Sequence, residues 1–495
     1  MSPRILMLTK SDFLKFSQCP KYLWLGKHRK DLLSAELDAG LEKRFKEGAE
    51  VEQYAYRLFP EGVSASAEGL KEAISKSQKL IRGGAKAVFQ PTITSGELFC
   101  RADIIRFDRR TKKWDIFEVK SSTEVKDMHV IDLGFQRFCL ERAGLPVGRV
   151  NVIHVNNEYV RQGEVDPEGL LKIADVTAEV GSLFGGLGNR IDEALAVLRQ
   201  RVEPDTRILR QCSNPYDCPF LEHCWRDVPE HSIYNLGLSE EKLNELLDRG
   251  ITRLEDVPEE FVAGTKKQAY YDAVKSGEAR VLRKKIGERL AELVYPLHFL
   301  DYETYGSAIP PFDGYRPYQQ IPFQYSLHVQ AKPGAKTKHF EFLAGEFADP
   351  VPKLAAQLKK EIGPRGSVLA WNAGFEGGCN DLMGERHPKF RDFFAGVNER
   401  LFDPMLIVRD GLYVDGKFMG SASLKKVQPV LAPDLSYKEL EIQEGGAALA
   451  AWPVLTAPAT PDEEKKRLRT ALLKYCALDT LAMVRILEQF REIAA

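Results

Sequence analysis

The order of hydrophobic and polar positions in the first half of the chain predicts both helices and strands. Apolar residues that recur every three or four positions indicate helices with one buried face. Short runs rich in β-branched and aromatic residues indicate strands. The predicted helices are 9–35, 40–58, 65–83, 127–143 and 188–203. The predicted strands are 86–92, 97–106, 114–120 and 149–155. The order helix, three strands, helix, strand therefore predicts a mixed α/β core.

The second half of the chain shows the same two patterns after a helical segment. Residues 229–290 have a helical period, and LHFLDYETY from Leu297 has the pattern of a buried strand. The segment 368–378 predicts a strand that runs into a helix, and 472–487 predicts a further helix. A chain of 495 residues is too long for one core. The predicted domains are 1–228, 229–290 and 291–495.

Two acids and a lysine fall on a predicted hairpin over 99–122, with its turn at 108–113. Asp103 lies on the first strand, and Glu118 and Lys120 lie two apart on the second, so the last two side chains share a face. Such a set suits metal-assisted phosphodiester hydrolysis. The acids would hold Mg²⁺ or Mn²⁺, and the lysine would stabilise the attacking water or the developing charge. An exposed strand edge would show the same pattern without any activity.

Cysteine usage adds a second kind of candidate site. The sequence has no signal peptide and no apolar run near the roughly 18 residues that a membrane span needs. A cytosolic protein without a membrane partner is therefore expected, and disulfides are rare in the cytosol. Four of the eight cysteines bracket the hairpin and predict a metal centre, either Zn²⁺ or iron–sulfur: Cys19, Cys212, Cys218 and Cys224. The others lie in apolar patterns and are predicted to be core residues: Cys100, Cys139, Cys379 and Cys476.

These residues together resemble the PD-(D/E)XK nuclease superfamily, over about 5–228. Within it, the chain resembles the RecB-type iron–sulfur branch that includes the CRISPR-adaptation nucleases. Asp103 and the triplet Glu118-Val119-Lys120 match the family motif, and Gln136 matches the glutamine that orients the site. The resemblance implies DNA cleavage with Mg²⁺ or Mn²⁺.

The same resemblance implies a 4Fe–4S cluster on the four bracketing cysteines, with zinc as the alternative. The chain departs from the family in two places. Where the family often has a histidine four residues after a glycine, Gly48 is followed by Glu52, which is then the metal-ligand candidate. The late cysteines are spaced C-x5-C-x5-C, which is wider at the first pair than in the family.

The segment 229–290 resembles helix–hairpin–helix modules, which bind a duplex backbone through hairpin amides. Asp248 and Glu255 flank its turn with the wrong charge for phosphate. We therefore favour a helical spacer between two enzyme domains.

Acidic residues form a second constellation in the last part of the chain. Asp301 and Glu303 share a face of one predicted strand, and Glu376 begins a predicted helix. Tyr475 and Asp479 are four apart and therefore share a helix face.

This arrangement resembles the DnaQ-like, RNase H-fold exonucleases of the DEDD type, over about 295–495. The resemblance implies that four acids bind two metal ions about 4 Å apart. Asp301 and Glu303 match the first motif, Asp479 matches the last, and Tyr475 matches the residue that orients the water. The second motif usually has aspartate, whereas Glu376 follows Phe375 here. Either Glu376 or Asp381 takes that role, or the domain is catalytically weak. Asp403 is a reserve candidate or an N-cap.

The order of the pieces also resembles an uncharacterised bacterial family of unknown function in which both modules are fused. The fold class expected is therefore α/β, with a restriction-endonuclease-like domain and an RNase H-like exonuclease domain joined by a small helical domain. The expected function is metal-dependent cleavage of DNA, single-stranded or with duplex ends, while the C-terminal fold also accepts RNA. With a net charge of −1, binding must use local basic patches. The alternatives are a nucleic-acid-binding protein with one degenerate nuclease domain and a zinc-stabilised scaffold.

Overall fold

The computed structural model describes residues 7–33 and 39–495, with side chains for 7–33 and 45–495. The described chain divides into two compact units. Unit 1 comprises 7–33, Leu41–Asp227 and Ser307–Tyr318. Unit 2 comprises 39–40, Val228–Gly306 and Gln319–Ala495. Both units contain helices and sheets, which confirms the predicted α/β class.

Unit 1 combines helices with two sheets. Its helices are α1 Lys10–Gln18, α2 Pro20–His28, α3 Ala39–Tyr56, α4 Leu70–Arg82, α5 Asp127–Arg142, α6 Pro167–Leu170, α7 Thr177–Arg199 and α8 Leu221–Trp225. Its strands are β1 Leu8–Thr9, β2 Gly62–Ser64, β3 Ala87–Phe89, β4 Thr92–Ser95, β5 Leu98–Arg101, β6 Ile104–Asp108, β7 Lys113–Lys120, β8 Val147–Val155 and β9 Leu171–Asp175. Short 3-10 helices lie at Lys30–Leu32 and Arg210–Cys212.

The main sheet of unit 1 has the order β2-β3-β6-β7-β8-β9. Strands β6 and β7 form the predicted hairpin, in which Asp108 pairs with Lys113. Helix α5 then crosses to β8, which runs parallel to β7 with Glu118 opposite Val152. Apolar side chains of α5, including Phe135, pack with the buried face of this sheet. Five strands, β3 to β7, lie between α4 and α5, so the predicted order of helix, three strands, helix and strand holds only for the main sheet, to which β3, β6, β7 and β8 belong.

Two element predictions in unit 1 are wrong. The single helix over 9–35 is two helices, because Cys19 is extended and Pro20, which has no backbone N–H, begins a new helix. The single strand over 97–106 is divided between two sheets, with β5 in one and β6 in the other. The division falls at Asp103, whose side chain accepts the backbone N–H of Val119 at 2.7 Å.

A segment from far along the chain completes unit 1. Ser307–Tyr318 lies between two strands of unit 2 but belongs to unit 1. The Arg161 guanidinium donates to the carbonyls of Pro310 and Pro311 at 2.9 Å each. The Tyr318 hydroxyl donates to the carbonyl of Ser121, and Ala308 is fully buried in an apolar cluster of this unit.

Unit 2 is also mixed. Its helices are α9 Glu240–Asp248, α10 Gln268–Ser276, α11 Arg283–Leu290, α12 Val351–Ile362, α13 Gly374–Arg386, α14 Arg391–Asn398, α15 Met405–Arg409, α16 Leu424–Leu431, α17 Gly445–Thr456 and α18 Asp462–Ala494. Its strands are β10 Arg280–Val281, β11 Leu297–Tyr305, β12 Ile321–Gln330, β13 Lys338–Leu343, β14 Val368–Leu369, β15 Leu401–Phe402 and β16 Tyr413–Val414. Its 3-10 helices are Ile233–Leu236, Leu254–Asp256, Glu259–Phe261, Pro388–Phe390 and Gly416–Phe418.

The main sheet of unit 2 has the order β13-β12-β11-β14-β15, with β11 in the middle. Strand β12 is antiparallel to β11, and β14 is parallel to it. The long helix α18 packs across β11 and β12. Trp452 of α17 is fully buried and stacks on Phe323 with ring centroids 4.9 Å apart. This packing holds α17 against β12, and α17 also contacts α18 and β11, the strand that carries Asp301 and Glu303.

The helical stretch at the start of unit 2 is more broken than its sequence pattern suggests. Within 229–290, helix α9 is followed by the 3-10 helices at Leu254–Asp256 and Glu259–Phe261. Helices α10 and α11 come next, with strand β10 between them. Helix α10 ends because Gly277 takes a left-handed conformation, with φ of 72°.

Candidate functional site

The hairpin of unit 1 brings its predicted acids and lysine together. Glu118 and Lys120 project from the same face of β7, and the Lys120 Nζ donates to Glu118 Oε1 at 2.7 Å. Asp103 lies at the bend before β6, beside this face, because its carboxylate holds the N–H of Val119. Burial, followed by the negative charge of Glu118, raises the pKa of Asp103 to about 8. This carboxyl group would therefore favour a nearby cation.

Helix α5 adds two side chains to the same site. The Gln136 amide donates to Glu118 Oε2 at 2.7 Å and to Asp132 Oδ1 at 2.9 Å. Asp132 also accepts from Lys120 Nζ at 2.9 Å, although it is only 1% exposed. The sequence analysis did not include Asp132. Its position four residues before Gln136, on the same helix face, is the signal that could have identified it.

A second lysine reaches the same carboxylates from the first turn of α1. The Lys10 Nζ donates to Glu118 Oε1 at 2.7 Å and lies 3.9 Å from Asp132 Oδ1. Burial alone would raise the pKa of Asp132, but the charges of Lys10 and Lys120 lower it below its usual value. Lys10 was missed because it is far from Glu118 in sequence and lies in an ordinary capped helix start.

Glu52 of α3 is linked to this site through Gln90. The Gln90 amide donates to Glu52 Oε1 and lies 3.4 Å from Asp103 Oδ1. The Tyr56 hydroxyl also donates to Glu52. Where the resembled family often has a histidine, this chain therefore has the Glu52 carboxylate, which is linked to Asp103 through the Gln90 side chain. We refer to Glu52, Asp103, Glu118, Asp132, Gln136, Lys10 and Lys120 as the unit 1 site.

The four clustered cysteines line one cavity of about 120 Å³. Cys19 lies at the junction of α1 and α2, and the N–H of Cys218 donates to the carbonyl of Cys212 at 2.9 Å. Burial raises the pKa of the Cys218 thiol to about 11, and the neighbouring thiols add to this effect. Burial also raises the pKa of Cys212 and Cys224. Sulfurs that face one cavity can act as ligands to one metal centre.

Unit 2 gathers the four predicted acids from three segments. Asp301 and Glu303 lie on β11, Glu376 on the first turn of α13, and Asp479 on α18. Burial raises the pKa of Asp301, and the charges of Asp479, Glu303 and Glu376 raise it further. Burial likewise raises the pKa of Glu303 well above its ordinary value, with Asp479 adding to the effect. We refer to these acids, with Cys476, Tyr437 and Tyr475, as the unit 2 site.

Glu376 is placed in the unit 2 site and Asp381 is not, whereas Asp403 lies near enough to Glu376 for its charge to raise the pKa of that carboxyl group. Glu376 is 3% exposed, and its Oε2 has no hydrogen-bond partner among the described residues. Asp381 is exposed and accepts from the Asn398 amide at 2.8 Å. Asp403 accepts the backbone N–H groups of Asn372, Ala373 and Met405, which is the capping role considered for it. An uncompensated buried carboxylate oxygen suits a cation ligand.

Two tyrosines and a cysteine lie beside these acids. Tyr475 is buried, and burial followed by the charge of Asp479 raises its pKa. Tyr437, which the sequence analysis did not include, donates its hydroxyl to Asp479. Cys476 was expected to be an ordinary core residue, but its Sγ lies 3.3 Å from Asp301 Oδ2. Only its burial matches that expectation.

Cation binding at the unit 2 site is expected to release protons at neutral pH. Burial raises the pKa of Glu376 to about 8 and that of Asp479 to about 6. At about pH 7 the metal-free protein therefore keeps most of the Glu376 proton, and Mn²⁺ must displace it. Because the pKa values of Asp301 and Glu303 are raised as well, at least about one proton should be released when the ion binds, and affinity should increase as pH rises toward 8. Calorimetry in two buffers of different ionisation enthalpy measures this release.

The free energy of unfolding of the metal-free protein should fall as pH rises. Folding raises the pKa values of Asp479 and Glu376, so the stability that they contribute is complete below the pKa values of the unfolded chain. That stability is lost as pH rises through about 6 and then about 8. Glu376→Gln is the matched control, because it removes one titrating group and should remove one released proton. Binding heats that do not depend on the buffer would contradict the assignment.

Among the described residues, no helix combines the length and apolar character needed to cross a membrane.

Comparisons with known proteins cover only part of the chain. No curated protein matches the chain. Residues 298–423 match a family described as Domain of unknown function (DUF2779). This match includes Asp301, Glu303 and Glu376 and ends before Asp479, and the family description gives no activity. The chain is thus similar, over part of unit 2 and the Ser307–Tyr318 segment of unit 1, to a domain whose function is undefined.

Proposed function

We propose that the protein is a metal-dependent nuclease with two active sites, one in each unit. The observation that carries the proposal is the unit 2 site. Four carboxyl groups come there from three separated segments, the charges of Glu303, Glu376 and Asp479 raise the pKa of buried Asp301, and Glu376 keeps an unpartnered buried oxygen. Gathering like charges away from water costs free energy, which bound divalent cations would repay. Folding alone gives no reason to collect them.

In unit 2, Asp301, Glu303, Glu376 and Asp479 would hold the ions of a DEDD-type exonuclease with an RNase H fold. Bound ions would lower the pKa of the attacking water and stabilise the leaving oxygen. The chain contributes the orientation of these acids, since Tyr437 holds Asp479 through its hydroxyl. Tyr475 keeps its proton at neutral pH and can donate it in a hydrogen bond to the water or the phosphate. The central position of β11 between β12 and β14 is consistent with this fold.

In unit 1, Asp103 and Glu118 would hold the ion of a PD-(D/E)XK site, with Glu52 as a further ligand. The antiparallel hairpin, the crossing helix α5 and the parallel strand β8 are consistent with that fold. Gln136 keeps Glu118 oriented. Lys10 and Lys120 supply two positive charges where the charge of a phosphate would develop.

An iron–sulfur cluster is proposed over zinc at the cysteine cavity, because unit 1 resembles the iron–sulfur branch of its nuclease superfamily. The four cysteines line one cavity of about 120 Å³. Cysteine spacing alone does not separate zinc from iron–sulfur. Cys19, Cys212, Cys218 and Cys224 would be the ligands of the cluster. The cluster would join α1 and α2 to the end of unit 1.

DNA is the proposed substrate, single-stranded or with duplex ends, because the resemblance of unit 1 is to DNA enzymes. RNA remains a second substrate class, since the fold proposed for unit 2 accepts either. Two sites on one chain suit sequential processing of one nucleic acid during repair, end processing or defence. The competing function is a nuclease in which unit 2 only holds a strand.

Digestion of end-labelled single-stranded DNA with Mn²⁺ tests the proposal, using protein purified without oxygen. Glu118→Gln and Asp301→Asn are matched variants, because each replaces a carboxylate with an amide of the same shape. Each is expected to lower the rate of one part of the product ladder by at least about tenfold. If Glu118→Gln lowers the cleavage rate and Asp301→Asn does not, the result would favour a unit 2 that only holds a strand. Unchanged ladders in both variants, or no cleavage, would overturn the proposal.

A further inference from the structure

We propose that Cys476, Asp301 and Glu303 form a binding site for a thiolate-seeking divalent cation of the Zn²⁺ class. One ligand atom from each of these residues lies within 4.8 Å of the other two. The Sγ of Cys476 lies 3.3 Å from Asp301 Oδ2. One sulfur and two carboxylate oxygens are therefore already gathered around one point.

A second observation indicates that this place receives a cation. The Glu376 side chain is 3% exposed, lies near enough to raise the pKa of Asp301, and has an oxygen without a hydrogen-bond partner. When a cation displaces its proton, the Glu376 carboxylate would add a negative charge beside Asp301 and Glu303. The group is therefore more than a buried thiol that happens to lie near an acid.

The thiol changes which ion the site prefers. Mg²⁺ is a hard cation that takes oxygen ligands, whereas Zn²⁺ and Cd²⁺ bind thiolate sulfur strongly. On binding, the Cys476 thiol gives its proton to solvent and its sulfur forms a bond to the ion. The hydrogen bond from the thiol to Asp301 is lost, and both Asp301 oxygens become available as acceptors.

The consequence for activity is competition. Asp301 and Glu303 are also the proposed ligands for Mg²⁺ or Mn²⁺, so an ion held by Cys476 would exclude the activating ion. This inhibitory role rests on the proposed nuclease function, whereas the binding of the ion does not. Free Zn²⁺ would then act as an inhibitor of unit 2 that unit 1 does not share.

Cd²⁺ is the probe, because its bond to sulfur gives an ultraviolet charge-transfer absorption that needs no enzymatic activity. Wild-type protein and Cys476→Ser are titrated with Cd²⁺ without oxygen, and the difference between them isolates this thiol from the four clustered cysteines. Cys139→Ser is the control, since Cys139 is a fully buried cysteine in the apolar core of unit 1, away from the acids of the unit 2 site. Cys476→Ser should lose the absorption that one Cd²⁺–sulfur bond contributes, and Cys139→Ser should keep the wild-type amplitude.

Equal amplitudes in wild type and Cys476→Ser would overturn the proposal. Should Cys476→Ser fail to fold, as judged by circular dichroism, Glu303→Gln takes its place because it keeps the thiol. Glu303→Gln is expected to weaken the Cys476-dependent Cd²⁺ binding by about tenfold or more, and unchanged affinity would overturn the proposal. If the Cd²⁺ signal is present but DNA is not cut, the nuclease function fails while the cation site stands.

Discussion

Cys19→Ser is expected to lower the stability of unit 1 by about 5 kcal/mol when the metal centre is loaded. Cys19 is the proposed cluster ligand from the first part of the sequence, and the other three proposed ligands lie beyond residue 210. A covalent link across a loop of roughly 200 residues removes about 5 kcal/mol of conformational entropy from the unfolded chain. Without Cys19 the remaining three cysteines could still hold a metal centre, but the link between the two ends of unit 1 would be gone.

The measurement is the denaturation midpoint of anaerobic protein, followed by circular dichroism and by visible absorption. Cys139→Ala is the matched control, because Cys139 is a fully buried core cysteine outside the cavity. It should cost about 1 kcal/mol and keep the brown colour of the cluster. A midpoint for Cys19→Ser equal to that of Cys139→Ala would contradict the link. Analysis that finds one zinc and no iron would replace the cluster with zinc.

Lys10→Met is expected to destabilise metal-free unit 1 by about 3 kcal/mol. The variant removes one of the two lysines that compensate Glu118 and Asp132, which are 2% and 1% exposed. Lys120 still contacts both acids, so the cost should lie at the low end of the range for breaking a buried ion pair. Mn²⁺ should restore part of the loss, because a bound cation replaces the missing positive charge.

Lys172→Met is the control that tests whether burial, rather than contact distance, determines the stability lost with an ion pair. Lys172 lies 2.7 Å from Glu158, the same distance as Lys10 from Glu118, but both partners are exposed. Its cost should be below about 1 kcal/mol. Equal unfolding free energies for the two variants would show that Lys10 does not compensate buried charge. In DNA digestion, Lys10→Met should affect only the products that depend on Glu118.

The parts of the sites that could be predicted are those set by local geometry. The two-residue spacing of Glu118 and Lys120 on a strand fixes a shared face, and the four-residue spacing of Tyr475 and Asp479 does so on a helix. Thr9 was one of two residues expected to open the first helix, and it forms a capping box with Asp12. These features depend on bond geometry and on neighbours a few residues away.

The parts that were missed depend on contacts between distant segments. Lys10 reaches Glu118 only because α1 packs beside α5, and no local pattern reports that packing. Tyr437 lies in a polar stretch that also fits an exposed loop, and its partner Asp479 is 42 positions later. The strand over 97–106 was predicted as one element because its residues all favour strands, whereas the Asp103 carboxylate divides it by binding a backbone group of β7. Strand propensity carries no information on such a choice.

The placement of Ser307–Tyr318 in unit 1 bears on how this protein can be inherited. A gene fragment ending near residue 227 would encode a first unit without Ala308, which is fully buried there, and without the carbonyls that Arg161 binds. A fragment beginning near residue 228 would carry those twelve residues away from the cluster that buries them. Exchange of one unit at a single junction would therefore damage both. Selection on either unit should keep the two together as one heritable piece.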